Sequence, residues 1–431
     1  MLNLIFFQVS NILELVSSMK KVILHCDLNC FFASVEMLYH PEFRNVPMAI
    51  AGDPENRHGI ILAKNVPAKL KGVKTAEAIH EAKAKCPNLI IRTPNYQDYD
   101  YFSNKVRSLY YEYTDRVEPF GMDECWLDIS ESVRLFGSVE NIVKQILQRV
   151  KDEIGLTLSI GIANNKIYAK LGSDLAKEDS YYIVDGLEKI KNLPANDLLN
   201  VGHHTYETLK SYGIYTIGDI AKKPIGYLKG ILGKAGETLY YFANGYDLSE
   251  VSLYDADYEV IKSIGNSMTA IRDLYDIDDL KLILTILCDS VSARLREQGM
   301  YFKVVHLYVR NKKLESRSAQ ITLKENSDLA KDIFDNAIML FENNFDFTIP
   351  YRSIGVSVSK LSFQKEVSQI DLFEKVTYSL KRKNEELALE NIRRRFGYHS
   401  ISTLRVLEDT ELSDFDPKNE HTFFPVSYFR K

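Results

Sequence analysis

Three carboxylates stand where this chain has little reason to place charge. Asp27 ends the apolar run KVILHCD, and Asp123 and Glu124 sit side by side in VEPFGMDECWLDIS, a text that otherwise suits a buried strand. Successive side chains of a regular strand point to opposite faces, so neighbouring acids can share a ligand only where the chain bends. Pro119 and Gly121 bracket that point, and glycine tolerates the bend. A hairpin turn at GMDE would project both acids from one edge of a sheet. Clustered carboxylates repel and raise one another's pKa unless cations neutralise them. Oxygen-only ligands suit a hard cation such as Mg²⁺, held by few carboxylates and by substrate phosphates. Two such ions bridged by an aspartate serve an in-line phosphoryl displacement. Taken singly, Asp123 and Glu124 read as a solvated turn and Asp27 as a helix N-cap. On neighbouring strands the three read together as a metal site.

Those strands must be supplied by the surrounding text. Residues 21–27 alternate onto two faces, with Ile23, His25 and Asp27 on one. A helix is expected over 31–39, and a tyrosine-rich one over 96–115. After the hairpin come a helix (SVENIVKQILQRVKDEI), a strand (LTLSIGIA) and a second helix (KIYAKLGSDLAK). This order is β-α-β-β-α-β, a ferredoxin-like layer in which the first and third strands are neighbours. Residues 47–89 read as a small insertion of short strands and a helix between prolines. Residues 184–250 read as short helices around tight turns, NVGHHT among them, and 251–260 as a polar link. From 261 the text gives a strand, two helices and three further strands, FKVVHLYVRN, SRSAQITL and YRSIGVSVSKL, before a charged helical tail.

Composition bounds the function. The chain has 431 residues, enough for two to four domains, and an ordinary apolar content. Its net charge of −5 counts mildly against nucleic acid as a partner, although local basic faces matter more than the total. The five cysteines (Cys26, Cys30, Cys86, Cys125, Cys288) are scattered, with no CxxC pair, which fits a reducing cytoplasm and argues against disulfides or a zinc site. The apolar opening MLNLIFFQVSNILELVSS lacks a basic start, carries Glu14 and is short for a membrane span. Met19 then reads as the natural start, with residues 1–19 as an upstream extension.

Three blocks carry a resemblance: DLNCFFASVE, FGMDECWLDIS and LSIGIANNKIYAKLGSDLAK. In order and spacing they resemble the signature blocks of Y-family translesion DNA polymerases of the bacterial DNA polymerase IV kind, and the likeness runs from about residue 20 to 373. It implies an α+β, right-handed polymerase. Residues 20–46 and 90–183 would form a ferredoxin-like palm, 47–89 small fingers, 184–250 a helix-hairpin-helix-like thumb and 251–260 a linker. Residues 261–363 would form the α+β little finger, and 364–431 a clamp-binding peptide and charged tail. The implied activity is low-fidelity, template-directed addition of deoxynucleotides to a primer end during DNA damage tolerance. The resemblance further implies two Mg²⁺ per site, with Mn²⁺ able to substitute, and primer–template DNA, deoxynucleoside triphosphates and a sliding clamp as partners. A cytoplasmic monomer without membrane contact and without proofreading completes the expectation, since no exonuclease-like acid set is present.

The resemblance assigns roles by position. Asp27, Asp123 and Glu124 match the metal-binding carboxylates, with the carbonyl of Leu28 completing the set. Phe32 matches the ring that excludes a 2′-hydroxyl, while Phe31 is expected in the core. Backbone N–H groups around Cys30, Phe31 and Phe32 would cup the phosphates at a helix N-terminus, with Lys177 as the triphosphate-binding lysine. The chain departs from the pattern at NVPAKLKG, where Val66 and Lys69 replace a tyrosine and an arginine. Lys69 keeps the charge but not the bidentate fork, and Lys64 stands near enough in sequence to help. Gly121 replaces a serine, EDS replaces a Pro-x-Gly turn after Lys177, and NVGHHT replaces a Gly-x-Gly hairpin, leaving Gly202 and a donor on His203. For duplex contact the basic text offers Lys262, Arg310, Lys312, Lys313, Arg317 and Arg352. QIDLF, with Gln369, Leu372 and Phe373, is similar to the short peptide by which bacterial polymerases dock on the clamp. Two other readings stay open: a catalytically silent, clamp-bound scaffold, which would lack the carboxylates, and a palm-fold nucleotide cyclase, which would lack the thumb and little finger.

Overall fold

The computed structural model describes residues 21–52, 59–253, 261–364 and 375–417, except the side chains of 375–380. The expected extension 1–19 and the expected clamp residues Gln369, Leu372 and Phe373 lie outside the described residues. Two compact units form, one mainly from residues up to 253 and the other from residues 261–417.

The first unit is built on β1 (Ile23–Leu28), which leads into α1 (Phe31–Tyr39). A side sheet follows: β2 (Met48–Ala51), β3 (Ile61–Lys64), α2 (Val66–Leu70), α3 (Ile79–Lys85) and β4 (Ile90–Arg92), in the order β3-β2-β4 over its own small core. β4 pairs with β2, so this sheet runs past residue 89, where the insertion was expected to end. Next come α4 (Tyr96–Tyr111), the hairpin β5 (Val117–Pro119) and β6 (Glu124–Asp128), α5 (Val139–Arg149), β7 (Leu158–Ala163), α6 (Lys166–Leu175) and β8 (Ser180–Ile183). The main sheet has the order β5-β6-β1-β7-β8. This is the ferredoxin-like layer read from the sequence, with β8 added parallel to β7.

Both faces of this sheet are covered, so its strands read apolar almost throughout. Leu24, Cys26 and Leu28 pack under α4 and α5, while Ile23 and Trp126 pack under α6. A side chain at Gly161 would overlap the Ala169 carbonyl, so glycine there lets α6 settle directly on β7. Buried Glu118 takes the Lys166 ammonium at 2.7 Å and the Ser252 N–H at 3.1 Å, joining hairpin, helix and the end of the unit. The helices α7 (His203–Ser211), α8 (Ile217–Lys222), α9 (Ile225–Leu232) and α10 (Lys234–Ala243) extend the apolar core beneath α6. His203 and His204, read as part of a turn, instead open α7, with Gly202 at its N-cap.

The second unit contains β9 (Ser263–Leu274), α11 (Ile277–Glu297), β10 (Phe302–Asn311), β11 (Ser316–Ser327), α12 (Ala330–Asn344) and β12 (Tyr351–Ser359). Its sheet order is β11-β10-β12-β9. Two helices were expected after the first strand. One helix of 21 residues stands there, capped by Asp276, and the second lies between β11 and β12. The apolar periodicity of DLKLILTILCDSVSARL is unbroken by glycine or proline, so nothing divides it.

The charged tail is part of this unit. α13 (Lys375–Phe396) is tied to α11 by Arg296 with Glu386 at 2.8 Å and Glu390 at 3.0 Å. Beyond it, Val406, Leu412 on the short α14 (Thr410–Ser413), and Phe415 enter the main core, and Asp409 meets Arg272 at 2.7 Å. Three apolar residues without helical or strand spacing gave no periodic signal of this packing.

Candidate functional site

The acids meet because β1 and β6 are antiparallel neighbours with Asp27 opposite Glu124. Directly opposed residues share a face, so both carboxylates project on the α6 side with His25 and Trp126. Asp123 sits in the turn before β6, and its carbonyl accepts the Leu28 N–H at 3.0 Å. Gly121, in the turn before them, has φ +156°, in the region open to glycine.

Electrostatics at this edge are strained. Burial, then the Glu124 charge, pushes Asp27 up to about 8. Burial and the same charge push Asp123 up to about 6. Glu124 goes the other way: burial raises it, but the Lys170 ammonium at 3.1 Å holds the carboxylate well below its ordinary value. The cation responsible is Lys170 on α6. Its Nζ lies 3.1 Å from Glu124, 3.5 Å from Asp27 and 2.9 Å from Asp174 one helical turn on. Among the described residues no three His, Cys, Asp or Glu side chains stand as a finished metal cage. Asp27 and Glu124 close instead on an ammonium.

Sequence reasoning missed Lys170 and gave His25 no role. His25 is fully buried, and burial lowers its pKa. The Ser173 hydroxyl donates to the Lys170 carbonyl at 2.8 Å, so its oxygen accepts from His25 Nδ1 at 2.7 Å. This leaves His25 Nε2 facing Glu124 at 3.5 Å. The one available signal was KLGSD, which sets Lys170, Ser173 and Asp174 on one turn of a helix.

Above the acids, Cys30 takes a left-handed conformation (φ 49°, ψ 38°) as the N-cap of α1, and Phe31 and Phe32 begin the helix. Phe31 is in the core and 3 % exposed. Phe32 is half-buried beside it and stacks on Tyr99 at 4.3 Å with the rings 10° from parallel. Tyr99 in turn donates to Glu36 at 3.3 Å, which faces Arg92 at 3.6 Å. Tyr99 is a second omission, legible only as one tyrosine among several on a helix. Asn29 is a third. Its side chain donates to Ser159 at 2.8 Å and accepts the Asp179 N–H at 3.2 Å, fixing the loop that carries exposed Lys177.

Lys64 and Lys69 stand close enough to Cys30 to oppose the rise that burial and Glu178 impose on its thiol. Positive charge thus gathers beside the start of α1. Val66 is exposed, held there by buried Asn65, whose side chain caps α2 and accepts the Met48 N–H. In the second unit, Arg310, Lys312, Lys313 and Arg317 collect at the β10–β11 hairpin, and Arg352 lies near the matching end of β12. Lys262 stands at the opposite end of that sheet, beside the β9 residue Ser263 that pairs with Ser359. Gly202 is exposed at the N-terminus of α7 in the first unit.

Residues 26–174 match the impB/mucB/samB family, and residues 261–372 match the C-terminal domain of the same family. The chain is 43 % identical over 401 residues to a DNA polymerase IV of Acetivibrio thermocellus, covering 92 % of this chain and 100 % of the relative. It is 34 % identical to a DNA polymerase IV of Clostridium kluyveri (88 % and 96 % covered) and 36 % identical to one of Bacillus velezensis (82 % and 85 %). Among solved structures it is similar to a Y-family DNA polymerase chimera, with a TM-score of 0.68 and 22 % identity, over 80 % of this chain and 100 % of that one.

Proposed function

The chain belongs to the impB/mucB/samB family and is a DNA-directed DNA polymerase of the translesion, Y-family kind; from that premise we propose that Asp27, Asp123 and Glu124 are its catalytic acids, working by two-metal phosphoryl transfer without proofreading. Its substrates are primer–template DNA and deoxynucleoside triphosphates, and enzymes of this family generally need divalent metal ions. Mg²⁺, two per site, is the proposed resident. The observation that carries the reading is the register of Asp27 against Glu124, with a cation already lodged between them.

The donor set fits such ions. Every candidate ligand is an oxygen, from the carboxylates of Asp27, Asp123 and Glu124 and the carbonyl of Leu28, and burial, with the Glu124 charge, pushes two of the acids up. Divalent cations held there would supply activation of the primer 3′-hydroxyl and relief of charge on the leaving pyrophosphate. The protein's own groups do the rest. N–H groups of Cys30, Phe31 and Phe32 bind phosphate oxygens at the start of α1, where the helix dipole favours an anion. Lys69, Lys64 and Lys177 add charge around the same point as single ammonium groups, not as a planar fork. The Phe32 ring, backed by Tyr99, forms the wall beneath the sugar C2′ and leaves no room for a hydroxyl.

Duplex contact is assigned to Arg310, Lys312, Lys313, Arg317 and Arg352, with Lys262 and the Gly202 N–H as separate contacts to the backbone. Gln369, Leu372 and Phe373 are proposed to tether the enzyme to a sliding clamp, which would raise its concentration at primer ends without altering chemistry. Among the described residues no helix is long and apolar enough to cross a membrane. The catalytically silent reading loses support because all three acids are present.

Primer extension on defined templates, with Mg²⁺ and each nucleotide in turn, tests the proposal. Templated addition that stops on adding a chelator supports it. Extension that ignores the template, or persists without divalent metal, overturns it.

A further inference from the structure

The contact between Lys170 and Asp174 is the ordinary pairing of residues four apart on a helix, and such pairs form on many exposed helix faces. That pairing does not explain the other two contacts. Glu124 and Asp27 come from β6 and β1, and the Lys170 ammonium reaches across from α6 to lie 3.1 Å and 3.5 Å from them. The side chain is only 15 % exposed, so the charge is held inside the site and not in solvent. Asp174 is on the outer side, with a side chain 45 % exposed. One ammonium thus bridges a pair of acids aimed at the reaction centre and a third acid aimed away from it.

We propose that Lys170 is a built-in counterion: it holds Asp27 and Glu124 together when no metal is bound, competes with the metal for them, and withdraws to Asp174 when a divalent cation enters. This inference rests on the reading of Asp27 and Glu124 as metal ligands.

Two half-buried acids facing each other across a strand pair cannot both ionise without a large cost unless a positive charge lies between them. A lysine supplies that charge on a flexible four-carbon stem, so the ammonium can leave without moving the backbone. Asp174 is within reach already, at 2.9 Å, so the departing charge keeps a partner. An ammonium beside a divalent ion is repelled, and so its presence weakens metal binding while its withdrawal relieves the repulsion. The Ser173 hydroxyl, bonded both to the Lys170 carbonyl and to His25, anchors the backbone from which the side chain swings. Lys170 is therefore a positioning residue, acting on the substrate through Asp27 and Glu124.

Two substitutions should move metal affinity in opposite directions. Lys170→Gln removes the competitor, and the Kd for Mn²⁺, measured on the full chain from the electron paramagnetic resonance of free Mn²⁺, should tighten roughly tenfold. Asp174→Asn removes the resting place, holding the ammonium on Asp27 and Glu124, and the Kd should weaken several-fold. Without metal, Lys170→Gln should also lower the melting temperature by roughly 3–6 °C. Saturating Mn²⁺ should erase that difference, and Lys170→Arg should restore the metal-free stability. A structural role alone would lower stability with and without metal and leave both Kd values in place. That result, or two Kd shifts of the same sign, overturns the counterion role. A parent chain that takes up no Mn²⁺ overturns the metal-site reading itself, and this inference with it.

Discussion

The main sheets of the two units share one succession of elements, β-α-β-β-α-β, and assemble it in different strand orders. In the first unit the hairpin β5–β6 joins through its second strand to β1, giving the order β5-β6-β1-β7. In the second unit the hairpin β10–β11 joins through its first strand to β12, giving β11-β10-β12-β9. The first arrangement sets the end of a hairpin turn, with its acids, against the end of β1. The second leaves the hairpin and its cations on an edge. Burial differs in the same sense. Helices cover both faces of the first sheet, while α11 and α12 cover one face of the second. The open face of the second sheet is polar and small, with Ser263, Gly265, Ser267, Ser357 and Ser359 along β9 and β12. A covered sheet shifts carboxylate pKa values and can do chemistry. An open one stays solvated and can lie along an extended anionic partner.

The largest test of that contrast is removal of an acid. Glu124→Ala should lower the rate of nucleotide addition at least about 1,000-fold while leaving duplex affinity nearly unchanged, because charge stabilisation is lost and phosphate contacts elsewhere remain. Rapid-quench extension and a binding titration on the same sample separate the two. Appreciable extension by this variant breaks the assignment of chemistry to the first sheet.

Phe32→Ala comes next. With the ring gone, discrimination against ribonucleotides should fall on the order of 100-fold, and the deoxynucleotide rate should fall less, since only a steric wall is removed. An unchanged ratio in single-nucleotide incorporation would return Phe32 to the core beside Tyr99.

The pH response should separate the units as well. Asp27 has a raised pKa, so the folded protein holds its proton between about 4 and 8 while the unfolded chain has lost it. Metal-free stability of the first unit should therefore fall as pH rises across that window. The loss should be on the order of 1–3 kcal/mol, since the Asp27 side chain is 27 % exposed and partly screened. Glu124 acts in the other direction and lower: its contribution is present above about 4 and is lost as pH falls towards 2. The chain has one tryptophan, Trp126, beside His25 in the first sheet, so its fluorescence during urea unfolding in chelator reports this unit. Asp27→Asn should flatten the slope between 4 and 8. Asp279 and Asp409 of the second unit, both lowered by hydrogen bonds from Arg272, lose their contribution only as pH falls below about 4.

The smallest expected effect lies in the second sheet. Lys312→Ala with Lys313→Ala should weaken duplex binding several-fold and reduce the slope of log affinity against log salt by about 2. The rate at saturating DNA should not change. A drop in that rate with an unaltered salt slope would blur the division of labour between the sheets.

The residues proposed to do chemistry stood out in the sequence because their types and spacing are improbable in buried strand text. Asp27, the Asp123–Glu124 pair, and the order of strands that makes β1 and β6 neighbours all follow from alternation, from Pro119 and Gly121, and from the ferredoxin-like succession. Elements with a strong period were legible for the same reason, as with α6 and β10. What had no period or local pattern was hidden. Val406, Leu412 and Phe415 enter the second core from a text that reads as a charged tail, and Tyr99 is one tyrosine among several until Phe32 stacks on it. Lys170 is the sharpest case. Sequence gives it one partner, Asp174, because helical neighbours are fixed by spacing alone. Its other two partners lie on separate strands, about 46 and 143 residues away in the chain, and only the packing of α6 onto the sheet over Gly161 brings them to the same ammonium.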